Sequence, residues 1–289
     1  MKKYLFLLAA LVFMFIGSSC KQSSKNISDG KPKVYTSFYA IYDFAKKIGA
    51  DKIHVENIMP PGIEPHDWEI STRDIMNLES ADALIYNGAG LEHWVDKVKK
   101  TLQNKIEYAN LTENMQIEND PHVWLNPLLA KKQCEIIEQC FCKIDVQNKN
   151  YYQENYLAVA KKFDELDSKI REATKNFRSK NIVVAHQAYK YFCDEYGLNQ
   201  IALEGIEEDS EPTVERMKEV SDFIKKNNVK YIFYEGQPSK AIQIISEDTG
   251  ATILELNPFE YLTKEQIDNG EDYFSVMEKN LENLKVALE

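Results

Sequence analysis

The chain has 289 residues, 44% of them apolar, with only 11 Gly and 9 Pro, so it can bury a large core and is neither a low-complexity nor a collagenous polymer. Its 35 Lys and Arg stand against 46 Asp and Glu, a formal net charge of −11, which excludes a counterion-releasing grip on nucleic acid. Five cysteines are too few for a disulfide scaffold.

Lys2 and Lys3 precede the uncharged run 4–16 and the small residues Gly17, Ser18 and Ser19, the order of an export signal occupying residues 1–19. The run is too short for a comfortable span across a bilayer core of about 30 Å. Cys20, directly after small residues, resembles the processing site of bacterial lipoproteins, where the thiol receives lipid and becomes the new N-terminus. Gly17 departs from that pattern, which usually has leucine there. Residues 20–32 then read as the lipidated cysteine and a polar, flexible tether. The protein is expected on a membrane surface outside the cytoplasm.

Short apolar runs at 53–59, 83–86, 182–185, 231–234 and 252–256 suit strands buried on both faces, with a further strand expected at 106–111. They alternate with stretches near 40–48, 71–79, 94–102, 188–196 and 214–224, where apolar residues return at three- and four-residue steps. Alternation of this kind predicts an α/β fold with parallel sheets and crossover helices. Residues 148–177 differ from both flanks, since Tyr152, Tyr156, Val159, Phe163, Leu166 and Ile170 form one sustained stripe without Gly or Pro. Such a helix would be about 42 Å long at 1.5 Å per residue. It predicts an N-terminal lobe at 33–147, a linking helix at 148–177 and a C-terminal lobe at 178–289.

Ligands of open α/β sheets sit beyond the carboxyl ends of the strands. His66 follows a strand through Pro60-Pro61-Gly62, His122 follows another within Asn119-Asp120-Pro121-His122, His186 caps 182–185, and Glu260 follows 252–256 through Asn257-Pro258-Phe259. Three imidazoles and a carboxylate at strand ends, most of them beside proline-braced turns, form a candidate metal set. His54, within a strand pattern, and His93, at a helix start, read as structural or exposed.

PPGIEPHDWE (60–69), DPHVWLNP (120–127), VVAHQAYKYFCDEYGL (183–198), ALEGIEEDSEPT, YIFYEGQPSK and LNPFEYLT (256–263) together resemble the metal-specific solute-binding proteins that feed ABC importers of zinc and manganese. The resemblance covers nearly the whole mature chain and is specific in its order and spacing. It implies two Rossmann-like lobes, with His66 and His122 from the first and His186 and Glu260 from the second gripping a metal in the cleft between them. Three imidazoles and one carboxylate suit tetrahedral Zn²⁺, whereas manganese-type members tend to carry a carboxylate at the position of His186 and Mn²⁺ prefers more oxygen. A manganese- or iron-binding member is the alternative within the family.

The resemblance implies ABC permease subunits as partners, a monomer, and no enzymatic activity. Trp68 and Trp124 are expected to wall the cleft, and Glu69 to lend negative charge near the ion. Asn126 stands where relatives usually have aspartate, so a carboxylate contact there is replaced by an amide. The histidine-rich loop of many zinc-uptake members is missing from 107–120. Cys134, Cys140, Cys142 and Cys193 fall in helical patterns and read as small buried apolar residues. The acidic run Glu204, Glu207, Glu208, Asp209 and Glu211 reads as a solvated loop face. Two other classes compete: a zinc hydrolase, for which no HExxH-type spacing or nucleophile elbow is present, and a surface adhesin with a structural metal.

Overall fold

The computed structural model describes residues 30–118, 120–206 and 212–289. The export segment, Cys20, the tether up to residue 29, and Glu207, Glu208, Asp209 and Glu211 of the acidic run lie outside the described residues.

The first half runs β1 (Lys33–Thr36), α1 (Tyr39–Gly49), β2 (His54–Asn57), α2 (Thr72–Leu78), β3 (Ala83–Tyr86), α3 (Val95–Leu102), β4 (Glu107–Asn110) and α4 (Pro127–Ile144). Its strands pair in the order β2-β1-β3-β4, all parallel, so β1 and β3 are flanked on both sides, and β3 reads as an apolar run. The long helix α5 (Lys149–Asn176) follows. Its residues Tyr152, Val159, Phe163, Leu166 and Ile170 are buried, as the stripe in the sequence requires.

The second half runs β5 (Asn181–Val184), α6 (Lys190–Tyr196), β6 (Asn199–Ala202), α7 (Val214–Asn227), β7 (Tyr231–Tyr234), α8 (Lys240–Thr249), β8 (Thr252–Glu255), α9 (Lys264–Asp268) and α10 (Tyr273–Leu288). Its sheet repeats the order of the first, β6-β5-β7-β8, again all parallel. The fold is therefore the expected α/β pair of lobes. Two strands escaped the reading by apolar runs: β1, which follows directly on the polar tether, and β6, a sheet edge whose residues are mostly half-exposed.

The largest hydrophobic cluster passes through both lobes. Phe44 of α1 lies 5.7 Å from Phe163 of α5 and 5.1 Å from Tyr273 of α10, and Tyr273 lies 5.5 Å from Phe259. These are edge-to-face contacts, which add to the area that the rings bury. The start of α10 is also pinned to α1 by charge: Lys47 Nζ reaches Asp43 at 2.5 Å and Asp272 at 2.9 Å. Cys134, Cys140 and Cys193 are buried free thiols and Cys142 is half-buried. Burial pushes the Cys140 thiol up to about 12, so it behaves as an apolar filler rather than a nucleophile.

Candidate metal centre

Each of the four candidate side chains leaves a sheet by a different short segment. His66 lies between β2 and α2; Gly62, in the left-handed region at φ +76°, lets the chain double back, and its N–H donates to Leu262 O at 3.1 Å. The His66 N–H donates to Glu64 Oε1 at 2.8 Å. His122 lies between β4 and α4, just before the short 3₁₀ turn Val123–Leu125. His186 follows β5, and Glu260 follows β8 through Asn257-Pro258-Phe259.

The four converge. Their ligand atoms all lie within 4.8 Å of one another. His122 Nε2 is 3.1 Å from His66 Nε2, 3.0 Å from His186 Nε2 and 3.0 Å from Glu260 Oε1. Glu260 Oε1 is 3.7 Å from His66 Nε2 and 3.9 Å from His186 Nε2. A tetrahedral ion about 2.0–2.1 Å from each donor needs donors about 3.3–3.4 Å apart, and these separations bracket that value.

Carboxylates surround the imidazoles. Asp120 Oδ1 accepts both the His122 backbone N–H at 2.9 Å and its ring Nδ1 at 2.7 Å, which leaves Nε2 to face the cluster. Glu235 Oε1 lies 3.7 Å from His186 Nδ1, and Glu64 Oε1 lies 3.9 Å from His66 Nε2. Burial works against a charge on His122, but hydrogen bonds to Asp120 and Glu260 outweigh it and push the imidazole up to about 9. His66 is raised too: burial opposes its charge and Glu260 overrides the burial. Glu260 is fully buried, which alone would raise it, yet His122 and His66 hold it well below the usual carboxylate range. Glu260 therefore stays ionised, and the proton it helps to keep on His122 is one that a metal cation would displace.

The other candidates sit as follows. Trp124 is fully buried with its ring 5.2 Å from His122, and its indole N–H donates across the lobes to Pro258 O at 2.7 Å. Trp68 is half-buried and packs edge-on to Trp94 at 5.4 Å in the first lobe. Glu69 is exposed, and the acids that approach the imidazoles are Glu64, Asp120 and Glu235 instead. Asn126 caps α4 through Oδ1, which accepts from Leu128 N and Leu129 N. Its Nδ2 donates to Tyr191 O and Glu195 Oε2, both at 3.2 Å, a bond that an aspartate could not make. His54 and His93 are exposed.

Behind His122 lies a polar bracket that sequence reasoning did not reach. Asn87, fully buried at the end of β3, donates to Pro121 O at 2.9 Å and accepts from Gln133 Nε2 at 2.7 Å. The buried Glu92 carboxylate takes the N–H groups of Asn87 and Gly88. Tyr191 of the second lobe donates to Asp120 O at 3.0 Å. Only Asp120, two residues before a histidine and followed by proline, carries a local signal for such a role.

Residues 34–287 match the family model described as zinc-uptake complex component A, periplasmic (ZnuA). The chain belongs to the ZnuA family. It is 33% identical to the high-affinity zinc uptake system protein ZnuA of Bacillus subtilis over 309 residues, covering 98% of this chain and 97% of that one. It is 34% identical to the zinc-binding lipoprotein AdcA of Streptococcus pneumoniae, covering 99% of this chain but spanning only 61% of AdcA. The Zn(II)-bound crystal structure of the ZnuA-like domain of AdcA superposes with a TM-score of 0.82 at 35% identity, covering 90% of this chain and 99% of that domain. The laminin-binding protein Lmb of Streptococcus agalactiae, a bifunctional protein with adhesin and metal-transporting activity, superposes with a TM-score of 0.83 at 29% identity, covering 89% of this chain and 100% of that one. The two lobes and the cleft-bound His/Glu cluster are thus those of a ZnuA-type solute-binding protein.

Proposed function

We propose that this chain is an extracytoplasmic zinc-binding protein that delivers Zn²⁺ to an ABC-type importer, with His66, His122, His186 and Glu260 as the ligands of the cargo ion. The observation that carries the reading is the convergence of four donor atoms, two from each lobe, within 4.8 Å. The donor set is that of tetrahedral zinc, and Mn²⁺ would ask for more oxygen. Zn²⁺ with three neutral imidazoles and one carboxylate carries a charge of +1, which Asp120, Glu64 and Glu235 oppose at short range. At neutral pH His122 holds a proton in the empty site, so Zn²⁺ must displace it on binding.

Because each lobe donates two ligands, the ion favours a closed arrangement that the permease can distinguish. The core shared by both lobes limits the change to a small tilt or a loop rearrangement. Four protein donors fill a tetrahedral shell, whereas a hydrolytic zinc keeps one position for water, so the chain acts as a carrier and not as an enzyme. The pattern around Cys20 supports a lipid anchor, and the names of relatives, lipoprotein and periplasmic, support a place outside the cytoplasm. Among the described residues no helix is long and apolar enough to cross a membrane. The similarity to Lmb favours adhesion to a host protein as a second reading, tested by whether the chain captures laminin.

The deciding experiment is calorimetric titration of the metal-stripped form from residue 21 onward with Zn²⁺ and with Mn²⁺, repeated on His186→Ala. One Zn²⁺ should bind per chain, Mn²⁺ far more weakly, and the variant should lose Zn²⁺ affinity. Equal Zn²⁺ binding by parent and variant would defeat the ligand assignment.

A further inference from the structure

The segment that delivers Glu260 leaves the sheet after β8 and makes almost no backbone pairing of its own. Its polar groups are met by side chains from elsewhere. Leu256 O accepts from Tyr189 Oη at 2.7 Å, and Pro258 O accepts from Trp124 Nε1 at 2.7 Å. Asn257 is held at both ends by one residue: its N–H donates to Asn280 Oδ1 at 2.9 Å and its carbonyl accepts from Asn280 Nδ2 at 2.7 Å. Asn257 Oδ1 in turn accepts the Phe259 N–H at 2.7 Å. Phe259 adopts φ +58°, the left-handed region that a bulky residue avoids unless its surroundings impose it. Glu260 comes next, and its carboxylate lies beneath all three imidazoles.

Asn280 sits in the middle of the C-terminal helix α10 and is 4% exposed, inside an otherwise apolar stripe that includes Met277, Leu281 and Leu284. A buried amide in such a stripe is costly unless each of its polar atoms is answered, and here both are answered by one backbone residue of the ligand segment. The neighbouring Asn283, one turn along, binds Glu255 O at 2.8 Å within the strand and not in the turn.

We infer that Asn280 is the positioning residue for Glu260: its two-point clamp on Asn257 fixes the turn that holds Phe259 left-handed and so aims the carboxylate at the metal. This rests on the reading of Glu260 as a zinc ligand. Without the clamp, Asn257 is free to rotate, Phe259 can relax to an ordinary conformation, and the carboxylate swings off the common centre. The effect is on coordination, not merely on folding.

The test uses Co²⁺ in place of Zn²⁺, because its visible d–d absorption reports ligand number and geometry, together with Zn²⁺ affinity by chelator competition and thermal melting without metal. Parent, Glu260→Gln, Asn280→Ala, Asn280→Ser and Asn283→Ala are compared as the chain from residue 21 onward. Asn280→Ala should lose about 10- to 100-fold in Zn²⁺ affinity, the range for residues that orient metal ligands. Its Co²⁺ spectrum should change in the same direction as that of Glu260→Gln. Asn283→Ala should melt lower with the parental spectrum and affinity. Asn280→Ser serves if the alanine variant does not accumulate. An Asn280 variant that melts lower but keeps the parental spectrum and affinity would overturn the inference. A Glu260→Gln protein with an unchanged spectrum would instead overturn the assignment of Glu260 itself.

Discussion

The segments that carry His122 and His66 reach the same point by opposite means. His122 is fully buried, and the stretch around it is bonded to both lobes: Asn87 on Pro121 O, Tyr191 on Asp120 O, Trp124 on Pro258 O, and Tyr273 Oη donating to Trp124 O at 2.8 Å. His66 stands on an exposed turn, Pro60 to Ile63, anchored through Gly62 N on Leu262 O, Asn57 Nδ2 on Met59 O at 2.9 Å, and Glu64 on its own N–H. One imidazole is preset by buried hydrogen bonds, and the other by a stiff but solvated loop. The difference teaches that a site whose rings are all buried can draw its ligands from segments of unlike exposure, one locked by both lobes and one carried on a solvated loop.

Replacing each histidine tests that division most sharply. Four-ligand zinc sites are worth roughly 10–16 kcal/mol at neutral pH, so losing one central donor should cost about a quarter of that, roughly 70- to 900-fold in affinity. His122→Ala should show this loss in full and also melt lower without metal, because Asp120 is left buried beside a void. His66→Ala should lose affinity mainly through faster zinc release, with nearly parental melting without metal. Chelator-competition and stopped-flow release measurements decide, and identical profiles for the two variants would erase the distinction.

The second expectation concerns pH and has two opposite signs. The folded His122 titrates near 9, above its ordinary value near 6.5, so its contribution to the stability of the empty protein is complete below about 6.5 and is lost as pH rises through about 9. Glu260 is depressed, so its contribution is present above its ordinary range near 4.3 and is lost as pH falls below it. Melting temperature with chelator should therefore decline between pH 7 and 9.5. Zinc affinity should climb by about tenfold per pH unit from pH 7 to about 8.5, for one displaced proton, and level off above about 9. Calorimetry in two buffers of different ionisation enthalpy should count that proton at pH 7.

The smallest effect is expected at Asn126. Asn126→Asp keeps the cap of α4 but sets a carboxylate against Tyr191 O and Glu195, and should destabilise the protein by ~1–2 kcal/mol while leaving zinc affinity within about threefold. A large affinity loss would show that the amide bears on the His122 segment more directly than its contacts suggest.

Much of this was legible in the sequence. The four converging residues stand at strand ends beside turn-forming residues, and three internal strands announce themselves as apolar runs at 83–86, 182–185 and 231–234, as does the edge strand at 252–256. β1 and β6 were silent because a four-residue strand such as Lys-Val-Tyr-Thr, or an edge such as Asn-Gln-Ile-Ala, carries too few apolar residues to mark itself. The stripe of α10 is not among the stretches that the sequence singles out, and that Asn280 interrupts it to grip a turn 23 positions away has no local signal, since nothing local distinguishes a buried asparagine from a solvated one. The surrounding acids have no local signal for the same reason: Glu69, named for its closeness to His66 in sequence, is exposed, whereas Glu235 reaches His186 only through the packing of the sheet.

The aromatic contacts that join α1, α5 and α10 have a consequence for how the chain is lost rather than how it works. Because the largest cluster is shared by both lobes, the halves should not open independently, and melting should be a single all-or-none event. Cargo bound at the cleft then lowers the population of every unfolded segment at once, including surfaces far from the ion. An empty carrier would be digested throughout its length where a filled one survives, making protease resistance a readout of occupancy.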